Sequence, residues 1–364
     1  MQYPRLAFQW LLVSVCAVAL SSAATAVETD FVRVEGSQFI YKGQVVKIKG
    51  CNYYPQDHMW GQMWQGWNSR EIAAEADRIR DLGMNAVRLM VPYSHANWGG
   101  ANPRPERLMQ LEELIRIFGE RGIRSCVALF DWETSYPDQN TLREAQHLQY
   151  LTAIVSRFRD SKYVLMWDVK NEPDHPSHLQ GHDNWGFDTH DRDRIVSWLA
   201  RMCAATRRLD TNHPVSIGLR WWQNTGDVLD LVDVVIFHSY FGRIGTRQIP
   251  EVKRFLGSTR KPILVEEFGW PSGPCPSYKP KEKTPVNYDF NEAKQLLVYR
   301  THLTAFKAHD IAGGFAWMAF DKTPYAGKMK QTHEDFFGLW RYGYDLKPAG
   351  EYYRDHFKVR LFDP

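Results

Sequence analysis

The chain has 364 residues, and its formal net charge of +3, with Lys and Arg evenly mixed among Asp and Glu, is too small to recruit nucleic acid or an anionic membrane. No Pro/Ser/Gly linker, low-complexity tract or internal repeat divides it, so one large domain with a sizeable core is expected. Aromatic residues make up 14% of the chain and include 14 tryptophans, many of them in polar stretches where no core requires them.

Residues 1–26 read as a signal peptide: Arg5 precedes the apolar run Leu6–Leu20, and Ala24-Thr25-Ala26 offers the small-residue cleavage site. The mature chain, 27–364, is then expected to be secreted or periplasmic, with no membrane attachment once the signal is removed. Four cysteines remain, Cys51, Cys126, Cys203 and Cys275, and their number permits disulfides without requiring them. Cys51 and Cys126 fall in predicted strands and Cys203 in a predicted helix, which suits buried free thiols.

Phe31–Val46 alternates and turns at Glu35-Gly36 and Lys42-Gly43, predicting a small β-hairpin that caps the bottom of the domain. Strand and helix alternate after it. Val46–Asn52 is the first strand, followed by a helix opened by Asn68-Ser69-Arg70-Glu71 and closed by Gly83. Asn85–Met90, Ile123–Phe130 and a strand from Tyr163 follow, separated by helices at Pro105–Gly122 and Thr141–Phe158. The second half repeats the pattern less regularly: a helix at Thr189–Leu209, strands at Pro214–Leu219 and Val232–His238, and a helix near Gln248–Leu256. A strand at Pro262–Phe268, a helix at Asn291–His309, a strand at Ile311–Phe320 and a helix near Ala349–His356 complete the chain. About eight strands with intervening helices predict an α/β fold, a (β/α)₈ TIM barrel in a single domain. An open doubly wound sheet is the alternative; the missing glycine-rich turn after the first strand counts against a nucleotide-binding version of it.

Two of these strands end in a carboxylate. Val164-Leu165-Met166-Trp167 runs into Asn171-Glu172-Pro173, where the proline favours extended geometry at Glu172. Ile263-Leu264-Val265 runs into Glu266-Glu267 before Phe268-Gly269 turns the chain away. In a closed barrel both tips face one cleft at the C-terminal rim. Alternation along a strand sends Glu266 and Glu267 to opposite faces, so only one of them is expected in the cleft.

Arg88 on strand two, Asn171-Glu172 on strand four, His238-Ser239-Tyr240 on strand six, Glu267-Phe268-Gly269 on strand seven and Trp317 on strand eight together resemble glycoside hydrolase family 5, over nearly the whole mature chain. The resemblance implies a retaining β-glycosidase of endo-β-mannanase or endo-β-glucanase type, a carbohydrate substrate, no metal or other cofactor, and action as a monomer. It makes Glu172 the acid/base and Glu267, directly before Phe-Gly, the nucleophile. Asn171 would bind the sugar 2-hydroxyl, Arg88 and Tyr240 would keep Glu267 ionised, His238 would border Glu172, and Trp317 would floor the ring. Two such carboxylates are expected about 5–5.5 Å apart, with Glu172 raised so that it keeps its proton. One departure stands out: Phe130-Asp131-Trp132 ends strand three where many members carry a histidine, and Trp132 is similar to some β-mannanases.

Other features compete for attention. His175, His178, His182 and His190, with Asp183, Asp188 and Asp191, could suggest a metal, but ligands in a long loop are rarely preorganised and double displacement needs none. Trp60, Trp64, Trp67, Trp185, Trp221 and Trp222 are candidate sugar platforms, since flat apolar faces edged with polar groups suit sugar rings. A noncatalytic carbohydrate-binding barrel is the rival reading, opposed by the presence of both glutamates. A barrel acting on phosphorylated sugars lacks its glycine-rich phosphate loop.

Overall fold

The computed structural model describes residues 29–93, 97–175, 189–240, 243–273, 290–322 and 332–364. The expected signal peptide and Cys275 lie outside them. At the start, β1 (Arg33–Glu35), β2 (Gln38–Tyr41) and β3 (Gln44–Val46) form an antiparallel sheet of three strands rather than a two-stranded hairpin, because both expected turns form. Gly36 and Gly43 adopt φ of 59° and 69° there, a region open to glycine at little cost. The chain then leaves β3 at Val46, so the first barrel strand begins two residues later than the apolar run suggested.

The barrel strands are β4 (Ile48–Asn52), β5 (Ala86–Pro92), β6 (Arg124–Asp131), β7 (Val164–Asn171), β8 (Val215–Gly218), β9 (Val235–Ser239), β10 (Ile263–Phe268) and β11 (Gly313–Ala316). They pair in parallel in the order β8-β7-β6-β5-β4-β11-β10-β9. The two ends of this ladder meet: Leu219 bridges Phe237, and the His238 N–H donates to the Leu219 carbonyl at 2.8 Å. Strands buried on both faces need near-continuous apolar sequence, and these have it except where polar residues point into the barrel.

Helices α1 (Ser69–Asp81), α2 (Pro105–Gly119), α3 (Leu142–Phe158), α4 (Thr189–Leu209), α5 (Ile249–Leu256), α6 (Glu292–Ala308) and α7 (Pro348–His356) lie in the crossovers and after the last strand. Only the β8–β9 crossover differs, being a 3₁₀ run over Trp222–Leu231. The sequence shows why the helices start where they do. Asn68 caps α1 by accepting from the Glu71 N–H, Thr141 caps α3 by accepting from the Glu144 N–H, and Asn291 caps α6 by accepting from the Lys294 N–H. Their buried faces, such as Ile72, Ala76 and Ile79 of α1 and Leu111, Leu114 and Phe118 of α2, cover the outside of the strands.

A second apolar cluster closes the N-terminal end of the barrel. Phe39, Tyr41 and Val46 of the small sheet pack there against Ile48, Ala86, Leu165, Ile236, Leu264 and Phe315. Cys51, Cys126 and Cys203 are buried free thiols, as their positions in strand and helix suggested.

One irregularity shapes the opposite rim. Against β9, Val265 is opposite Phe237 and Glu267 opposite His238, while against β11 Val265 is opposite Gly314 and Phe268 opposite Ala316. Glu266 is therefore an extra residue, a bulge that breaks the two-residue alternation.

Candidate active site

The site grows from Arg88 of β5, whose guanidinium is completely buried inside the barrel. A buried cation is tolerated only where charge and hydrogen bonds replace water, and its two terminal nitrogens are surrounded accordingly. Nη1 donates to Glu267 Oε1 at 2.7 Å and to Asn52 Oδ1 at 3.1 Å. Nη2 donates to Asp168 Oδ2 at 2.7 Å and Asn171 Oδ1 at 2.8 Å, and lies 3.3 Å from Glu266 Oε2. With its oxygen committed to Arg88, Asn171 turns its amide nitrogen towards Asp131 Oδ1, 3.4 Å away at the end of β6, and borders the cleft.

Glu172 leaves β7 with φ of 41°, which overturns the expectation of extended geometry from the following proline. The surroundings fix this turn: its N–H donates to the Gly218 carbonyl at 2.7 Å, its Oε1 meets His238 Nδ1 at 2.9 Å, and its Oε2 accepts from Arg220 Nη1 at 3.4 Å. Glu267 faces it from β10. Its Oε1 is held by Arg88 and its Oε2 accepts from the Tyr240 hydroxyl and lies 3.3 Å from His238 Nδ1. Glu172, His238 and Glu267 each bring one donor atom within 4.8 Å of the others. Nδ1 of His238 shares a hydrogen bond with Glu172 and lies close to Glu267, so the three can share a proton.

Both glutamates of β10 point into the barrel. This corrects the expectation of opposite faces, and the bulge is the reason; as expected, only Glu267 reaches the cleft, while Glu266, fully buried, sits beneath it against Arg88.

The protonation pattern also differs from the expectation. Burial alone would raise Glu172, but the hydrogen bond and charge of His238, with Arg220, outweigh it and hold this carboxyl down at about 2. Burial and the charge of Glu172 raise Glu267 against the pull of His238 and Arg88. His238 is pushed up to about 10: burial opposes its charge, yet Glu267, Glu172 and Glu266 around it prevail. In the free site these directions favour a charged His238 beside an ionised Glu172.

The cleft above has a volume of about 510 Å³. Trp317, directly after β11, lines it and donates from Nε1 to Glu334 Oε2 at 3.3 Å. Trp60 stands beside Trp317 with ring centroids 5.9 Å apart, and Trp132, more than half exposed at the rim, meets the edge of Trp60 at 5.8 Å. Those three with Trp270 give aromatic walls around a polar floor.

The model of the cellulase family, glycosyl hydrolase family 5, matches residues 41–277. The chain belongs to glycosyl hydrolase family 5. It is, as such, an O-glycosyl hydrolase, and the buried carboxylates at the rim are where that chemistry can occur. Its relatives include mannan endo-1,4-β-mannosidase A of Podospora anserina, 22% identical over 299 residues, 67% of this chain and 74% of that protein. Mannan endo-1,4-β-mannosidase A of Hypocrea jecorina is 26% identical over 313 residues, covering 70% and 67%. Among solved structures, an exo-β-1,4-mannosidase from Opitutaceae bacterium strain TAV5 superposes with a TM-score of 0.69 at 19% identity, over 89% of this chain and 61% of that one. A family 5 enzyme of Streptomyces cattleya in complex with GlcNAc gives 0.64 at 18%, over 86% and 83%. These likenesses show the barrel.

The family 5 fold brings together the residues that carried the resemblance: Arg88, Asn171, Glu172, His238, Tyr240, Glu267, Trp132 and Trp317 all lie in or directly under the cleft. The tryptophan set divides. Trp60 lines the cleft, whereas Trp64 is buried with Trp67 stacked on it and Trp222 is buried; Trp185 lies outside the described residues. Of the acid and histidine cluster, His175 lines the cleft, His178, His182, Asp183 and Asp188 lie outside the described residues, and nothing is assigned to the side chains of His190 and Asp191. Asp168, Arg220, Trp270 and Glu334 were not singled out. Asp168 had a signal, a charge in the middle of an apolar buried strand; Arg220 and Trp270 sit on loops and Glu334 in a short 3₁₀ turn over His333–Phe336, where spacing carries no direction.

Proposed function

We propose that the protein is an exported, monomeric, retaining β-glycosidase that acts on β-linked hexose polymers or oligomers, mannan-type before glucan-type. The observation that carries this reading is the approach of Glu172 to Glu267, with oxygens within 4.8 Å. So close an approach of one oxygen from each favours an acid paired with a nucleophile, whose carboxyl groups stand about 5–5.5 Å apart, over the gap of about 6.5–9.5 Å that inverting enzymes keep for water. Glu267, aimed by Arg88 and Tyr240, attacks the anomeric carbon while Glu172 delivers a proton to the leaving oxygen. The proton is at hand on His238, one hydrogen bond from Glu172. Once Glu267 is glycosylated, Glu172 is free to act as base towards water.

The mannan-active relatives and Trp132 at the end of β6 support mannan as the first substrate to test. Arg5, Leu6–Leu20 and Ala24-Thr25-Ala26 support export, which the N-terminal sequence of protein recovered outside the cell checks. Glu267→Gln is expected to abolish turnover on all substrates. Glu172→Ala should spare the first step for acidic leaving groups and accumulate intermediate. NMR of the first-formed product should show the β-anomer; an inverted anomer, or hydrolysis of α-linked substrates with β-linked ones inert, overturns the reading.

A further inference from the structure

Glu266 is completely buried and takes no part in the chemistry described so far. Its Oε1 accepts from the Cys126 thiol at 3.3 Å. Its Oε2 has no hydrogen-bond partner among the described residues, and the same is true of His238 Nε2. The two atoms face each other at 3.8 Å. If Nε2 carried a lone pair, it would oppose the lone pairs of a carboxylate between two buried atoms, which is unfavourable at low dielectric. A proton on Nε2 turns the same contact into attraction. The other ring nitrogen, Nδ1, is then the one left to exchange a proton with Glu172 at 2.9 Å.

We propose that Glu266 is a positioning residue that pins a proton on Nε2 of His238, so that the ring loads and unloads the acid Glu172 through Nδ1 alone. The inference rests on the double-displacement reading above and adds to it the source of the acid's proton. The step balances. When substrate enters, the Nδ1–H bond breaks and an O–H bond forms on Glu172, leaving a neutral imidazole with its proton on Nε2. Glu172 passes that proton to the leaving oxygen as Glu267 bonds to the sugar. In the second half, water gives its hydroxyl to the anomeric carbon as the bond from that carbon to Glu267 breaks and frees the carboxylate, and its proton goes to Glu172, which returns it to Nδ1. The resting charges are restored without any outside acid.

Charged and titratable groups surround this ring from four strands. Glu172 lies on the β7 side, with Arg220 behind it; Glu267 and Glu266 come from β10, the first also held by Tyr240; Arg88 of β5, with Asp168 and Cys126, touches Glu266 from below. Replacing Glu266 by glutamine keeps size and an oxygen for Nε2–H but removes one negative charge. Fewer negative neighbours weaken the imidazolium, so its midpoint must fall.

The test is ¹⁵N NMR of histidine-labelled full-length protein across pH, with the wild type and Glu266→Gln side by side, followed by kinetics of both. In the wild type, Nδ1 is expected to lose its proton first as pH rises. In Glu266→Gln the His238 midpoint should drop by about one unit or more, and the basic limb of kcat/KM on an unactivated oligosaccharide should move down with it. At the wild type's upper limb this amounts to roughly a tenfold loss, while glycosylation by a dinitrophenyl glycoside, which needs no acid, should change less than about threefold. Loss of the proton from Nε2 first, or an unmoved midpoint in Glu266→Gln, overturns the proposal. The wild-type spectra decide it even if the variant does not fold. They also decide it independently of whether a glycosyl-enzyme is ever formed, which separates its failure from that of the retaining reading.

Discussion

At the scale of single residues, the most exacting position in the site is one without a side chain. A Cβ on Gly218 would sit 2.5 Å from Glu266 Oε2, 2.9 Å from Asp168 Oδ2 and 3.0 Å from Arg88 Nη2. None of these atoms can retreat without breaking a buried charge pair. Gly218→Ala is therefore expected to cost about 1–3 kcal/mol in chemical denaturation. It should also lower kcat/KM at least roughly tenfold, by displacing the carboxylates that Arg88 gathers. Activity that survives intact would show that the cluster is more pliable than its packing suggests. The convergence of Glu172, Glu267, His238 and Tyr240 was legible in the sequence because each stands in a polar motif at the end of an apolar strand, and a closed barrel brings those ends to one rim. The location of the proton was not. It depends on distances among His238, Glu172, Glu267 and Glu266, which come from three strands and leave no mark on spacing.

At the scale of elements, apolar runs and caps located ten of the eleven strands and all seven helices to within a few residues, whereas local backbone exceptions escaped. The third strand of the small sheet lies inside the expected hairpin span, whose two turns make three strands, and only the start of the first barrel strand is misplaced, because Val46 and Ile48 belong to one apolar stretch. The bulge in β10 was invisible, since Ile263-Leu264-Val265-Glu266-Glu267-Phe268 reads as a regular strand and only the unequal register against β9 and β11 reveals the extra residue. The small sheet itself has a measurable task. Phe39 is fully buried at the centre of the apolar cluster that closes the barrel floor. Phe39→Ala is expected to destabilise the fold by about 3–5 kcal/mol, read from denaturant midpoints. KM should be unchanged, because the cleft opens at the other end. A raised KM without a loss of stability would contradict that division of labour.

At the scale of the whole molecule, the buried charges make stability depend on pH in a defined window. Glu172, ordinarily near 4.5 and held at about 2, contributes stability that is present above 4.5 and lost as pH falls through about 2. His238, ordinarily near 6.5 and raised to about 10, contributes stability that is present below 6.5 and lost as pH rises through about 10. Both contributions are complete between pH 4.5 and 6.5. The difference in melting temperature between the wild type and His238→Gln should therefore be largest in that interval and shrink towards either extreme. A difference that is flat across pH would mean that the ring is neutral in the folded protein.

Residues 357–364 run as a strap back beneath the barrel. Phe362 N–H donates to the Gly122 carbonyl at 2.9 Å, Asp363 takes Lys42 of the small sheet at 2.9 Å, and Asn85 donates to the Arg360 carbonyl at 2.9 Å. In mechanical terms this strap is a tether point. A pull applied at Pro364 is first resisted by the floor, in shear across the small sheet and the starts of the strands, and reaches Glu172 and Glu267 only after that floor has yielded. The protein can thus be anchored by this end to a solid support with its cleft turned towards a polymer too large to diffuse.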